Sequence, residues 1–463
     1  MHRTAPIAAT SAPPHGTRPG AALAVTAAAT AVALMNYTAP MLTLPDMAAA
    51  FATPASAQAW LLNGTPLGLA VLLLVAGSLA DAHGRRRVFL LGTLALGLTT
   101  ALGAFAGSTA TFTAARIAQG AASAAVLAGS LGLLAHAYPA GRDRIRATGV
   151  WGASVSAGIA LGPLLAGALS LVDWRLAYEV LGAAALVIAT VGARLLRGDE
   201  ATPKSSRARP DIAGATALGL ALAALLTALT LGRDGWLRPQ VGLLLLASLA
   251  LTALFVMVEH RSRTPMVDLA LLRRPEFLAS TLGALFTGLA VIGLFSVVPA
   301  LLQGGAGMSP LGAAWLFVLW SGTAFVVALQ ARRLAGRLSA PYQLALGFVL
   351  SAAGVLALLG GLEGPAGSWP RLLPGLLAAG AGSGLLNAAL PRLAVDSVPP
   401  ERAAMGSGAN NTARYIGSSA GVALMLALAT AGTGPDTAVL VSAALALTGA
   451  GITLALGRRR PRR

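Results

Sequence analysis

The stretch Gly77-Ser-Leu-Ala-Asp81-Ala-His-Gly84-Arg85-Arg86-Arg87 is set between two long apolar runs, Trp60 to Leu79 and Val88 to Gly107. A charged segment this short, with a glycine inside it, reads as a tight turn joining two helices whose apolar lengths match a bilayer. The rest of the chain repeats the pattern. Of 463 residues 56% are hydrophobic and 11% charged, with a mean hydropathy of +0.74, whereas a soluble domain carries about 25% charged residues. About 14 apolar stretches of roughly 20 residues, each able to cross ~30 Å of hydrocarbon, follow one another. They start near Gly20, Gln58, Val88, Thr109, Ala147, Leu176, Ile212, Pro239, Leu278, Pro310, Tyr342, Trp369, Gly406 and Asp436. Runs of Leu, Ala and Val without period-2 alternation exclude a barrel, so the fold class is an all-α integral membrane protein.

The formal net charge is +17, and its distribution decides what it means. With the amino terminus inside, Arg175, Arg233, Arg238 and Arg371 fall outside, Arg116 and Arg414 fall within helices, and the rest of the 33 Lys and Arg lie in cytoplasmic loops and tails. That bias predicts cytoplasmic termini at both ends. Aromatic residues do not interleave with the basic ones and no groove tracks a phosphate backbone, so nucleic acid is not an expected partner. The segment through Pro19 is rich in Pro, Thr and Ala and is expected to be a disordered tail. The apolar run from Ala21 is too long for a cleaved signal. Heavy use of Ala, Gly and Arg with one lysine, Lys204, is the composition of a GC-rich bacterial genome, which points to a bacterial cytoplasmic membrane.

Catalytic chemistry has little to stand on. Cysteine is absent, so there is no disulfide, thiolate or cysteine metal site. His2, His15, His83, His136 and His260 lie in tails or near loops, and neither paired metal ligands nor a Gly-rich loop with Lys occurs. Gly417-Ser-Ser-Ala-Gly421 fits Gly-x-Ser-x-Gly but lies in an apolar helix, where no strand-to-helix turn exposes the serine.

The opening turn closely resembles the loop between the second and third helices of the major facilitator superfamily, with Gly77, Asp81, Gly84, Arg85 and Arg86 at its defining positions. Arg116-Ile-Ala-Gln119-Gly120 is similar to the family's Arg-x-x-Gln-Gly. Gly158-Ile-Ala-Leu-Gly162-Pro163-Leu-Leu-Ala-Gly167 resembles the antiporter pattern of the fifth helix, with Ala166 in place of one glycine. Ala331 to Leu338 sits where a decayed copy of the opening turn would, and Phe255 to Phe277, with Glu259, Pro265, Asp268, Leu269 and Arg273, looks like the linker of the fourteen-span drug:proton branch. In the first helix Asn36 and Pro40 fit that branch, while its acid and threonine positions are Ala31 and Ala33. The resemblance implies two six-helix bundles, 20–197 and 278–457, joined by linkers 198–210 and 259–277 around an inserted pair, 211–258, with tails 1–19 and 458–463. It also implies a monomer that needs no cofactor beyond a proton gradient and no metal, with a small molecule, protons and membrane lipid as partners.

Each candidate residue carries two readings. Arg116, costly inside a membrane, either lies in a proton or substrate path or is satisfied by backbone carbonyls. Gly158, Gly162, Pro163 and Gly167 are a hinge by resemblance and a close helix approach by composition. Asp81, with Arg85 or Arg86 as partner, is a conformational latch by resemblance and otherwise a turn residue. Glu179, one turn into the sixth helix, either carries protons or pairs with Arg175 at the interface. Asn36, Asn63, Gln119, Asn387, Asn410, Asn411, Arg414 and Tyr415 can bind substrate or hold helices together. Trp60, Trp174, Trp236 and Trp369 are expected at the membrane interface; Trp315 and Trp320 face either lipid or a cavity. The function expected is proton-coupled export of a small organic molecule. Symport uptake and uncoupled export are the alternatives, and a non-transporting sensor or scaffold would need a domain that these segments do not suggest.

Overall fold

The computed structural model describes residues 19–138, 142–196, 212–232, 235–262, 271, 273–334, 338–364, 366–398, 403–430 and 434–457. Tails 1–18 and 458–463, linker 198–210, residues 263–270 and 272 of linker 259–277 and the centre of the Ala331 to Leu338 turn lie outside the described residues.

The decisive turn is a single residue. Helix α3 (Gln58–His83) ends at Gly84, whose φ of 98° lies where side chains are strained, and helix α4 (Arg85–Ala104) begins at once. Before them, α1 (Pro19–Thr38) and α2 (Pro40–Ala50) form one span broken at Pro40. Helix α5 (Thr109–Ala137) starts at a capping box in which Ser108 and Thr111 exchange hydrogen bonds of 3.2 Å. Then come α6 (Arg142–Leu169), α7 (Arg175–Leu195), α8 (Ile212–Gly232) and α9 (Pro239–Arg261). Helices α10 (Pro275–Phe286) and α11 (Gly293–Gly304) are joined through a π-helical segment, Thr287–Ile292. The series ends with α12 (Pro310–Leu334), α13 (Ala340–Leu356), α14 (Leu373–Asp396), α15 (Ala403–Thr430) and α16 (Pro435–Gly457). Every expected start lies within about a turn and a half of an observed one. Among the described residues 11 spans are long and apolar enough to cross a membrane, and Gln58–Leu73, Thr216–Leu229 and Ala340–Leu356 are shorter apolar segments.

Helices α1 to α7 pack on one another, as do α10 to α16. The two sets meet where α3 lies on α15, α6 on α12 and α2 on α11. Helix α8 bridges α3 and α15, while α9 leans on α8 and leaves Leu243, Leu246 and Leu249 about two-thirds exposed, as a lipid-facing helix does. Glycine sets the closest approach. At Gly158 and Gly162 a Cβ would collide with the Ala31 and Met35 carbonyls of α1, which brings α1 and α6 backbone to backbone.

At the end of the bundle opposite Gly84 the two sets touch beside an open cavity lined by Leu44, Ala48, Leu301, Glu363 and Pro435. Gln303 Nε2 donates to the Leu42 carbonyl at 3.0 Å, and Gly167 backs onto Pro310 and Ala314 of α12. Phe51, Phe112, Trp174 and Tyr178 form an edge-to-face aromatic cluster with centroids 5.3 to 5.9 Å apart. Trp174, expected at the interface, is therefore buried, because three aromatic partners offer it more than the headgroup region does. Trp236 and Trp369 stay about half exposed.

Candidate functional site

Proline decides the first half of the site. Pro40 has no N–H for the carbonyl of Asn36, four residues earlier, so the break between α1 and α2 leaves an acceptor inside the membrane. Arg116, fully buried on α5, fills the gap: Nη1 donates to the Asn36 carbonyl at 2.9 Å and to Asn36 Oδ1 at 2.7 Å. It also reaches Gln119 Oε1 at 2.7 Å, and Nη2 approaches the Tyr37 carbonyl at 3.4 Å. The network continues outward: Asn36 Nδ2 donates to Thr100 at 2.8 Å and Gln119 Nε2 to the Thr99 carbonyl at 3.0 Å. Asn36, Arg116 and Gln119 have no exposed surface. Their chemistry is spent on one another and on α4, and only Arg116 Nε lacks a partner.

One residue further along α1 the two helical sets touch. The Tyr37 hydroxyl shares a 2.9 Å hydrogen bond with Ser418 of α15, and its ring stands edge-on to Tyr415 at 5.9 Å. Gly417 and Gly421, which gave the segment its hydrolase-like spacing, instead let α15 press against Leu285 and Leu289. Beside them Arg414 Nη2 donates to Asn387 Oδ1 of α14 at 2.8 Å. Unlike the Arg116 group, Arg414, Tyr415, Asn387 and Asn411 are partly exposed. Asn411 bonds back to the Ser407 carbonyl of its own helix, and Asn410 ties α15 to Ser280 of α10. Asn63 is buried with Oδ1 unpaired.

The other candidates lie apart. Arg86 caps the end of α7, donating to the carbonyls of Leu196 at 2.7 Å and Ala193 at 2.9 Å, where the helix dipole favours a cation. Arg85 reaches the Gly132 carbonyl at 3.3 Å; the side chain of Asp81 lies outside the described residues. Glu179 is partly exposed and makes no ion pair among the described residues. Arg175 instead stacks over Trp174, 4.5 Å from its ring. Of the two undecided tryptophans, Trp315 is 59% exposed, while Trp320 is buried and stacked on Phe295 at 4.3 Å.

Tyr37, Ser418 and Asp46 are polar groups that the sequence did not single out. Tyr37 and Ser418 are 381 positions apart, and no spacing pattern reaches that far. Asp46 lies on α2, which carries the first span on past Pro40. It lies about 12 Å past Thr38 along the axis. Its Oδ2 is shut off from solvent without a partner.

Comparison with known proteins agrees with this architecture. A bacterial homologue of the human lysosomal transporter Spinster, solved in an inward-facing and unoccupied conformation, superposes with a TM-score of 0.67 at 15% identity, covering 95% of this chain and 97% of that one. Over 387 residues, 82% of this chain and 70% of the other, the sequence is 33% identical to Multidrug resistance protein Stp of Mycobacterium tuberculosis. Over 417 residues, 89% and 82% of the two chains, it is 32% identical to Puromycin resistance protein pur8 of Streptomyces alboniger. Residues 26–422 match the Major Facilitator Superfamily, and the chain therefore belongs to that family, as a multi-pass membrane transporter rather than an enzyme.

Proposed function

We propose that this transporter exports a small organic molecule from a bacterial cytoplasm in exchange for protons, acting as a monomer. The observation that carries the reading is the contact of Tyr37 with Ser418 and Tyr415, where two helical sets meet inside the membrane beside partly exposed polar groups. Relatives named for multidrug and puromycin resistance support export as the direction. The loop charges predict that the Gly84 end is cytoplasmic, which makes the end where α6 meets α12 and α2 meets α11 the extracellular one. Alternating access is then the rocking of 20–197 against 278–457, with 211–258 as the inserted pair, α6 as hinge at Gly158, Gly162, Pro163 and Gly167, and Asp81, Arg85 and Arg86 as the cytoplasmic latch. One charge crossing ~100 mV supplies about 2.3 kcal/mol, which sustains roughly a fifty-fold gradient of a neutral substrate.

Glu179 and Asp46 are the acids to test as proton carriers. Collapse of an imposed pH gradient in everted vesicles, on adding anionic, neutral and cationic compounds in turn, tests the coupling. Substrate-dependent proton release from wild type, lost in Glu179→Gln or Asp46→Asn, supports antiport and identifies the carrier. Substrate movement with no proton release in the wild type favours uncoupled export, the reading that Ala31 in the usual acid position already recommends.

A further inference from the structure

The two intramembrane arginines differ in what they lack. Arg116 is surrounded by four oxygen acceptors and has no exposed surface. Arg414 has five N–H donors and one protein acceptor, Asn387 Oδ1. Its other nitrogens are unpaired, yet none is among the buried unpaired atoms, so they face accessible space. Its titratable neighbours are Tyr415 and Tyr37, neither of them a carboxylate. The described Asp and Glu residues sit near helix ends or in loops, and Arg414 forms no ion pair. A permanent cation on a membrane helix with spare donors and no counter-charge is unfavourable unless something anionic joins it.

We infer that Arg414 anchors an anionic group of the transported molecule, a carboxylate or comparably acidic oxyanion on a flat apolar body. This deepens the exporter reading and rests on it. The guanidinium offers the planar fork that a carboxylate engages with two parallel hydrogen bonds. Asn387 holds one edge of the fork in place. The Tyr37 and Tyr415 rings supply an aromatic wall next to it, and the partly exposed Asn411 lies three residues before Arg414 on the same helix face. A cationic substrate meets repulsion at this site and finds no described acid in the adjoining helix centres to offset it.

A charge series on fixed scaffolds tests the assignment: 2-naphthoate and 2-anthroate, the corresponding amides, and the corresponding arylmethylamines. Binding to the purified full-length transporter is read from the shift of its thermal midpoint against ligand concentration. The expected order is carboxylate tighter than amide by at least about tenfold, with the amine weakest. Arg414→Gln abolishes that preference, and Arg414→Lys restores part of it by returning the charge without the fork. If the wild type prefers the amide or amine, binds none of the series, or keeps its carboxylate preference in Arg414→Gln, the assignment is overturned. The wild-type order stands as a test even where a variant fails to fold. Counterflow of the same compounds in proteoliposomes is scored separately. Arg414-dependent carboxylate binding with no counterflow retains the anchor and removes the exporter reading. Counterflow of all three classes without charge preference does the reverse.

Discussion

Arg116 supplies a hydrogen bond that proline removed, and this sets how its loss is felt. In Arg116→Leu the Asn36 carbonyl, Asn36 Oδ1 and Gln119 Oε1 lose a charged donor in a dry interior, which costs about 1 to 3 kcal/mol for each acceptor left unpaired. Thermal unfolding in detergent is expected to show that loss. Restoring the missing amide should recover part of it: Pro40→Ala in the Arg116→Leu background returns an N–H to the Asn36 carbonyl, with an expected coupling of about 0.5 to 3 kcal/mol between the two changes. Additive effects would count against the joint as described.

At the level of helices and turns, the two short connections that matter most are Gly84 and the crossing of α1 on α6. A side chain at Gly84 must adopt φ 98° and ψ 126°, so Gly84→Ala should destabilise by about 1 to 3 kcal/mol. Gly162→Leu should be far worse, because its Cβ already meets Thr38 and Met35; loss of folded protein from the membrane fraction is the readout. Arg86→Ala removes the cap of α7 and should cost about 0.3 to 2 kcal/mol. Much of this layer was legible in the chain. Pro239, Pro310 and Pro435 open helices, and Ser108 caps one just before Thr109, as residues with fixed φ or a short hydroxyl should. What spacing could not give is the direction of each side chain in a helix that is apolar all round. Trp315 and Trp320 read alike in sequence, yet one faces outward and the other stacks on Phe295. The Asn36 to Arg116 network was present as separate candidates, but its joining through a proline-freed carbonyl depends on contacts between helices 80 residues apart.

Across the whole transporter, the contact of α6 with α12 makes a prediction that the absence of cysteine renders clean. A Cβ built at Gly167 stands 3.0 Å from that of Ala314, a little closer than the ~3.8 Å typical of a disulfide. The pair Gly167→Cys and Ala314→Cys should therefore cross-link on oxidation and stop transport, with recovery on reduction. Undiminished transport by fully cross-linked protein would mean that α6 and α12 do not part during the cycle. The break at Pro40 bears on the same motion. In an unbroken helix, swinging the outer third of the first span away from α11 would tear a backbone hydrogen bond in the dry interior. At this joint the bond that would be torn does not exist, since Asn36 already accepts from a neighbouring helix. The outer gate can thus pivot like a knee whose ligament runs sideways, and its opening is resisted by side-chain packing instead of by the helical ladder.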